Sequence, residues 1–383
     1  MSEHISRRAA SVAPFIAMDV LAAANNQEAR GERVIHLEVG QPGSAAPAAV
    51  LEAARAALQA DRLGYVEALG IPPLRERIAR HYRERYGLAV RPERVVVTTG
   101  SSSGFMLAFL AAFDIGDRVA LASPGYPAYR NILGALGLTS RDLLSSAADH
   151  FQPTPKLLAV ASDHPAGLIV ASPSNPTGTM LDAEGLRALA DYCGNAGIRL
   201  VSDEIYHGIV YGPREHSMLE FTQSAIVINS FSKYYSMTGW RLGWMIVPED
   251  LVRPIERLAQ NLYISAPTLS QLAAIAAFEC GEELNGHVRR YQENRDLLLS
   301  GLPSAGLDRL TVPDGAFYLY ADITHLSNDS RDFCGRMLRE AGVAAVPGLD
   351  FDPQRGHGTL RISFAGATSD MEEAVRRLRA WKK

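Results

Sequence analysis

Short apolar segments that alternate with helix-like segments constrain the fold of this 383-residue chain more than any other feature. The apolar segments are rich in β-branched residues and are bounded by turn residues, which is typical of buried parallel strands. They lie at residues 94–98, 118–122, 167–171, 199–202, 225–229 and 242–247. The helix-like segments lie at residues 47–60, 72–86, 104–112, 182–196, 251–258 and 270–280. This alternation predicts an α/β fold with a mainly parallel, helix-flanked sheet.

The pattern changes near residue 285. A long charged helix begins there and is followed by short strands at residues 316–321 and 359–364 and by a basic helix at 371–383. These elements are typical of a smaller α+β domain. We therefore expect a large domain formed by residues 46–284 and a small domain built from both chain ends, residues 1–45 and 285–383.

The charge balance and the cysteine content exclude several classes of protein. There are 38 Lys and Arg against 42 Asp and Glu, so the net charge is −4, whereas a nucleic-acid-binding protein would usually carry a basic excess. The three cysteines are far apart and form no CxxC pattern, so we expect neither a bound metal nor a disulfide framework. Buried thiols in a reducing compartment are the simplest interpretation.

The N-terminal apolar segment at residues 9–24 follows two arginines and resembles a secretory signal peptide. Pro14 and Asp19 interrupt that segment, which argues against export. The alternative is a helix whose apolar face comprises Phe15, Ile16, Val20 and Ala23. No other segment approaches about 18 uninterrupted apolar residues, so we expect no membrane-spanning helix and a cytoplasmic protein.

The segment Ser230-Phe231-Ser232-Lys233 directly follows the predicted strand at 225–229, so Lys233 should lie beyond the carboxyl end of that strand. Ligands of parallel sheets bind at this edge. A lysine in a water-poor pocket can lose its proton and attack a carbonyl to form a Schiff base. A lone lysine near a strand end is usually a solvated surface charge, but the two serines and Arg241 could bind a phosphate group.

Polar residues also follow three other predicted strands. Asp203 comes after the strand at 199–202 and could keep a pyridinium nitrogen protonated, with Tyr206 bonding a phenolate oxygen of the same ring. A serine-rich loop at 100–104 precedes a helix and could bind an anion, and Asn175 ends the strand at 167–171 and could donate to a cofactor oxygen. Taken singly, Asp203 and the serines could instead be helix caps.

Arg361 lies in a strand-like apolar segment, where an isolated guanidinium needs an anionic partner. Its planar fork suits the α-carboxylate of an amino acid. A structural salt bridge is the competing interpretation.

Four motifs occur in a specific order and spacing. They are SPSNPTG at 172–178, DEIY at 203–206, SFSK at 230–233 and GWRLGW at 239–244. This pattern resembles the fold-type I pyridoxal-phosphate-dependent aminotransferases of class I/II. The similarity extends from the VGQP segment at 39–42 to the LRIS segment at 360–363, which is almost the whole chain. The resemblance implies a pyridoxal 5'-phosphate enzyme that moves an amino group from an L-amino acid to a 2-oxo acid.

The resemblance also implies residue roles. Lys233 matches the lysine that forms the internal aldimine and moves the α-proton of the substrate. Asp203 matches the partner of the pyridine nitrogen, and Tyr206 and Asn175 match the partners of the phenolic oxygen. The residues that match the phosphate-binding group are Ser101, Ser102, Ser230 and Arg241.

Four further positions receive roles from the same resemblance. Tyr126 matches the aromatic residue that stacks on the cofactor ring. Arg361 matches the arginine that binds the α-carboxylate, with Gly40 nearby. Tyr65 matches a tyrosine that reaches the phosphate bound by the neighbouring subunit, which implies a homodimer.

The chain departs from relatives in two segments. Ser101-Ser102-Ser103 stands where relatives often carry Gly, Thr or Lys, which leaves open which hydroxyl contacts the phosphate. The segment Gln260-Asn261-Leu262-Tyr263-Ile264 has no arginine, whereas aspartate-specific relatives place one near here. A neutral or aromatic amino donor is therefore favoured over aspartate.

Two other functions are compatible with these motifs. A carbon–sulfur β-lyase would use the same residues, because the reaction depends on which substrate bond stands perpendicular to the cofactor ring. A transcription regulator with an aminotransferase-like domain would carry an N-terminal DNA-binding domain. Here the matching segment begins almost at once, so we expect an enzyme.

Overall fold

The computed structural model describes residues 5–61, 63–160 and 164–381. Its strands, in chain order, are β1 (Ile35–His36), β2 (Val95–Thr98), β3 (Arg118–Ser123), β4 (Thr139–Leu144), β5 (Gly167–Ala171), β6 (Arg199–Asp203), β7 (Ile226–Ser230), β8 (Gly243–Ile246), β9 (Arg309–Thr311), β10 (Tyr318–Asp322), β11 (Val343–Ala344), β12 (Val346–Pro347) and β13 (Thr359–Ser363). Its helices are α1 (Arg7–Ser11), α2 (Ile16–Glu28), α3 (Ala48–Ala60), α4 (Pro72–Tyr86), α5 (Gly100–Ala112), α6 (Pro127–Ala135), α7 (Pro155–Ala159), α8 (Ala183–Ala196), α9 (Glu249–Leu262), α10 (Thr268–Ala277), α11 (Gly281–Gly301), α12 (Ser330–Ala341) and α13 (Thr368–Ala380).

A seven-stranded sheet with the order β2-β8-β7-β6-β5-β3-β4 forms the centre of the molecule. All its pairs are parallel except those of β8, which runs antiparallel to both β2 and β7. Apolar clusters lie on both faces of this sheet, beneath helices such as α5 and α8. The predicted fold class, a mainly parallel sheet flanked by helices, is confirmed.

Each of the six predicted strands of this sheet is present, within one or two residues of its expected bounds. The edge strand β4 was not predicted, because its sequence TSRDLL is polar and only one of its residues is buried. The helix expected to begin at Gly104 begins at Gly100, so the serines at 101–103 form its first turn. That placement turns the serine-rich loop into a helix N-terminus.

A second, four-stranded sheet has the order β12-β13-β10-β9 and is antiparallel throughout. The N-terminal β1 pairs in parallel with β11, so the two chain ends meet. Residues from β1, α11, β10, α12 and α13 share one apolar cluster. In the described part of the chain, none of the helices has the length and apolarity needed to span a bilayer.

Helix α2 confirms that the N-terminal apolar segment is helical, but its buried face differs from the expected one. Ala17, Ala24 and Gln27 are buried, whereas Ala23 is exposed. The difference arises because α2 packs its small residues against the second sheet and β11. Val20 and the preceding Phe15 are half-buried and pack at the edges of the same clusters.

Candidate active site

Lys233 lies in the turn that follows β7, whose apolar residues are fully buried in the central sheet. Its Nζ donates a hydrogen bond to the carbonyl oxygen of Gly40, at 2.5 Å. Burial lowers the pKa of Lys233 to about 8; the positive charges of Arg361 and Arg241 lower it further and Asp203 opposes them. Lys233 is therefore a lysine whose neutral, reactive form is accessible near neutral pH.

Asp203 ends β6, which pairs in parallel with β7, so its carboxylate and Lys233 lie at the same sheet edge. The Oδ1 atom accepts from the backbone N–H of Ile205 at 3.0 Å, and Oδ2 accepts from the hydroxyl of Tyr129. Burial raises the pKa of Asp203 to about 6, although both hydrogen bonds and Lys233 oppose the rise. A cationic partner would keep this carboxylate ionised.

Tyr129 is a residue that the sequence analysis missed. It lies on α6, and its fully buried ring reaches the carboxylate of Asp203. Nothing in the sequence links two residues that are 74 positions apart, although Tyr126 and Tyr129 lie one helical turn apart in the same segment. Their rings are 5.3 Å apart in an edge-to-face arrangement.

Tyr206 follows Asp203 in the turn after β6 and its hydroxyl lies 2.7 Å from that of Tyr318, a second residue that sequence reasoning missed. Burial raises the pKa of Tyr206 well above its ordinary value, so its hydroxyl stays protonated. Two aromatic rings lie close to the amine of Lys233. Its Nζ is 5.6 Å from the ring centroid of Tyr206 and 5.8 Å from that of Phe317.

A cradle for an anion lies at the start of α5. Gly100 has φ +71°, and a Cβ atom built there would lie 2.5 Å from Nη2 of Arg241. No side chain caps this helix, so its first N–H groups can bind an anion. Ser101 and Ser102 line the adjacent cavity. The helix terminus, the guanidinium and the hydroxyls are a donor set suited to a phosphate.

The serines before Lys233 lie in two layers. The hydroxyl of Ser232 lines the cavity, whereas the hydroxyl of Ser230 lies behind it and donates to the Ser232 Oγ at 2.9 Å. The Oγ atom of Ser230 also accepts a hydrogen bond from the backbone N–H of Ser232 at 3.0 Å. The two hydroxyls therefore form a connected pair rather than two separate contacts.

Arg361 lies on β13 and is almost completely buried. Its Nη1 donates to Oδ1 of Asn175 at 3.0 Å, and its Nη2 donates to the carbonyl oxygen of Glu38 at 2.5 Å. The guanidinium also lies over the rings of Tyr318 and Phe351, at 4.4 and 4.9 Å from their centroids. Because both hydrogen-bond acceptors are neutral, the charge of Arg361 remains available to an anionic substrate.

These groups converge on one cavity of about 230 Å³ between the two sheets. Ten of the twelve predicted site residues line it. They are Gly40, Ser101, Ser102, Tyr126, Asn175, Asp203, Tyr206, Lys233, Arg241 and Arg361. Ser230 lies one layer behind, and the side chain of Tyr65 is 85% exposed and lies outside the cavity of its own chain.

The cavity suits pyridoxal 5'-phosphate. It contains the Lys233 amine, whose pKa is lowered, and the Asp203 carboxylate, which is buried and hydrogen-bonded only to neutral groups. It also contains the anion site formed by Arg241 and the start of α5 at Gly100. Lys233 would bond the carbonyl carbon of the cofactor, Asp203 its ring nitrogen, and Arg241 with the start of α5 its phosphate. Together with the sheet, this site defines a pyridoxal-phosphate enzyme of the α/β class.

The chain matches the family model for aminotransferase class I and II over residues 32–378, and it belongs to that family. It is 50% identical over 386 aligned residues to the valine–pyruvate aminotransferase of Mycobacterium tuberculosis, covering 100% of this chain and 99% of the relative. It is 32% identical to the aspartate/prephenate aminotransferase of Thermus thermophilus, covering 97% of both chains. A crystal structure of an aminotransferase from M. tuberculosis superposes with a TM-score of 0.97 at 49% identity, covering 99% of each chain.

Class I and II aminotransferases use pyridoxal 5'-phosphate to transfer an amino group between amino acids and 2-oxo acids. The family, the activity and the cofactor predicted from the motifs are therefore confirmed.

Proposed function

We propose that this aminotransferase uses a neutral L-amino acid with an apolar side chain as donor and a 2-oxo acid as acceptor. The observation that carries the proposal is that Lys233, Asp203 and Arg361 line the same cavity as an apolar wall. That wall comprises Phe15, Met18, Leu21 and Ile132. An amino acid needs all of these contacts: a cation for its carboxylate, a base near its α-carbon and a surface for its side chain.

Bound pyridoxal phosphate supplies a carbonyl group and an electron-withdrawing ring, and the protein supplies the rest. Asp203 would hold the proton on the ring nitrogen, which keeps the ring electron-withdrawing. Tyr206 and Asn175 would bond the phenolic oxygen. Tyr126 would stack on the ring, and its own hydroxyl stays protonated because burial raises its pKa to about 12.

Lys233 would move the proton. With a pKa of about 8, roughly a tenth of such amines are neutral at pH 7, which is enough for a general base. Its Nζ would remove the α-proton of the substrate and hold it for the 1,3-proton transfer that transamination requires. The Gly40 carbonyl, which accepts its hydrogen bond, keeps the amine at the cavity wall.

Arg361 would bind the α-carboxylate and so orient the α-carbon. Its Nη1 and Nη2 atoms are held by Asn175 and by the carbonyl oxygen of Glu38, so the guanidinium is oriented before the substrate binds. The phosphate would be held by Arg241, the start of α5, Ser101, Ser102 and the Ser230–Ser232 hydroxyl pair.

The donor class rests on two further observations. The segment at 260–264 carries no arginine that could pair with an acidic side chain. The relative at 50% identity is named a valine–pyruvate aminotransferase, which acts on an aliphatic amino acid. Both observations favour a donor with an aliphatic side chain.

The assembly and location are also proposals. The exposed ring of Tyr65 supports a homodimer in which each subunit contributes this tyrosine to the phosphate site of the other. The two separate sheets and apolar clusters support a large domain of residues 46–284 and a small domain of residues 1–45 and 285–383. Three cysteines without disulfides support a cytoplasmic enzyme.

A half-reaction screen tests the proposal. The absorbance of the bound cofactor is followed while each L-amino acid is added singly, with valine, leucine and alanine expected to convert it and aspartate expected to react more slowly. Release of ammonia from a cysteine-like substrate without any oxo acid would instead identify a β-lyase.

The Arg361→Ala variant should then raise the KM for amino acids at least tenfold while leaving the Kd for the cofactor within about twofold. Arg94→Lys is the matched control, because Arg94 is also buried but bonds only Val247 and Gln223, outside the cavity lining. Loss of cofactor binding in Arg361→Ala would make that residue structural.

A further inference from the structure

Helix α2 begins without a cap from its own segment. Its N-cap residue is Phe15, whose side chain cannot accept a hydrogen bond. The acceptor comes from the other end of the chain: Asp350 Oδ1 accepts from the N–H of Ile16 at 3.1 Å and Oδ2 from that of Ala17 at 3.2 Å. A single buried carboxylate therefore satisfies two of the free N–H groups at this terminus.

The position of α2 decides the shape of one wall of the active-site cavity. Phe15, Ala17, Met18 and Leu21 all line the cavity, and Ala17 also packs against Tyr320 and Val346 of the second sheet. The start of the helix belongs to a small apolar cluster, in which Ala17 and Phe15 meet Tyr320 and Val346 of the second sheet and Phe351. Phe15 also packs edge-to-face on Tyr126, but Ala17 buries little apolar surface, so the two hydrogen bonds to Asp350 contribute to fixing this end.

Asp350 also lies beside the group that binds the carboxylate. It ends the turn Gly348–Asp350, and the next residue, Phe351, packs its ring 4.9 Å from the guanidinium of Arg361. The backbone carbonyl of Asp350 accepts a bond from Arg130 at 3.3 Å, which ties the turn to α6. One short turn thus contacts both the start of α2 and the carboxylate-binding arginine.

We propose that Asp350 is a positioning residue for donor specificity: by capping α2 it holds the wall formed by Phe15, Met18 and Leu21 at a fixed distance from Arg361. The inference rests on the proposed function, since it assumes that an apolar donor side chain contacts this wall. Asp350 itself is outside the cavity lining and touches neither proposed substrate group nor reacting atom.

The Asp350→Asn variant tests this role. Its amide keeps one acceptor but directs an N–H at one of the two helix N–H groups, which loosens the start of α2. The KM for leucine should rise about fivefold to tenfold, as expected for a lost cap, with kcat within about twofold. The loss of the Asp350 charge, which faces Arg361, acts on the carboxylate of both donors, so the readout is the leucine-to-alanine KM ratio. This ratio should rise about fivefold, because the methyl group of alanine is too short to depend on the wall.

Hydrogen–deuterium exchange supplies a readout that does not depend on activity. The amides of Ile16 and Ala17 should exchange faster in Asp350→Asn than in the wild-type holoenzyme, with the cofactor Kd unchanged. Asp329→Asn is the matched control, because Asp329 also caps a helix by accepting two backbone N–H groups, on α12. It should leave the leucine-to-alanine KM ratio as in the wild type.

A second variant, Met18→Ala, keeps the test informative if Asp350→Asn fails to fold. It removes part of the wall without touching the cap and should raise the leucine KM selectively. Equal changes for leucine and alanine in either variant, or none, would overturn the role of Asp350 and α2 alone. A wild-type enzyme that converts no apolar donor would instead overturn the proposed function.

Discussion

The hydrogen bond from Tyr129 to Asp203 makes a quantitative prediction. Among the residues that the structure describes, Tyr129 has the only hydroxyl that donates to this buried carboxylate. Replacing Tyr129 by Phe removes it, while the ring and its packing against Tyr126 and Phe105 remain. A hydrogen bond contributes about 1.5–3 kcal/mol to a charged acceptor and about 1 kcal/mol to a neutral one. The difference, roughly 0.5–2 kcal/mol, corresponds to about one pKa unit.

The pKa of Asp203 should therefore rise from about 6 to roughly 7 in the Tyr129→Phe apoenzyme. The assay is a titration of the carboxyl carbon resonance in protein labelled with 13C-aspartate, with the Asp203→Asn variant used to identify the signal. Tyr126→Phe is the control, because Tyr126 lies in the same cavity but donates no hydrogen bond to Asp203.

Two results would refute this reasoning. An unchanged midpoint in Tyr129→Phe would mean that the hydroxyl does not stabilise the charged form. A midpoint near the ordinary value of 3.8 in the wild type would mean that burial does not dominate the titration of Asp203. In the holoenzyme, a more basic Asp203 would compete for the proton of the ring nitrogen, so Tyr129→Phe should lower kcat.

Three further predictions concern the titration of Lys233, cofactor binding at Gly100 and the pH dependence of stability at Glu204. Lys233 in the apoenzyme should react with an acylating reagent with a midpoint near pH 8, since burial lowers its pKa from 10.5; a midpoint near 10 would contradict this. Gly100→Ala should weaken cofactor binding at least tenfold in equilibrium dialysis, because the new Cβ would meet Arg241 and its φ of +71° costs an L-residue about 1 kcal/mol. Burial raises the pKa of Glu204 from 4.5 to about 8, so stability is lost as pH rises from about 4.5 to 8. The melting temperature of Glu204→Gln should therefore fall less between pH 5 and 9 than that of the wild type.

Much of the fold could be predicted because the central strands are short, continuous apolar segments. A strand such as β7 is buried on both faces, so its sequence carries no polar alternation and its end is marked by the first polar turn. The convergence of Lys233 and Asp203 follows from the parallel pairing of β6 and β7. The edge strand β4 lacks such a pattern and was therefore missed.

The contacts between distant segments could not be predicted in this way. Tyr318 lies 112 positions from Tyr206, and Asp350 lies 334 positions from Ile16, yet both pairs are hydrogen-bonded. Local periodicity gave the face of α2 only in part: Phe15, Ile16 and Val20 are half-buried as expected, whereas Ala23 is exposed and Ala17 and Ala24 are buried instead. The role of Tyr65 stays a prediction, because it concerns the partner subunit.

The energetics of the cavity explain why its charged groups are placed together. Burial raises the pKa of Asp203 and lowers that of Lys233, so each group is driven towards its neutral form in the absence of a ligand. Pyridoxal phosphate would offer a cationic ring nitrogen to the carboxylate, a carbonyl to the amine and a dianion to Arg241. Part of the cofactor's binding free energy therefore offsets a burial cost already present in the fold. For Asp203, whose folded pKa is above its ordinary value, that cost is present above pH 6 and vanishes below about 4. For Lys233, whose folded pKa is lowered to about 8, the cost is present below pH 8 and vanishes above about 10.5, so the cofactor should stabilise the protein most between about pH 6 and 8.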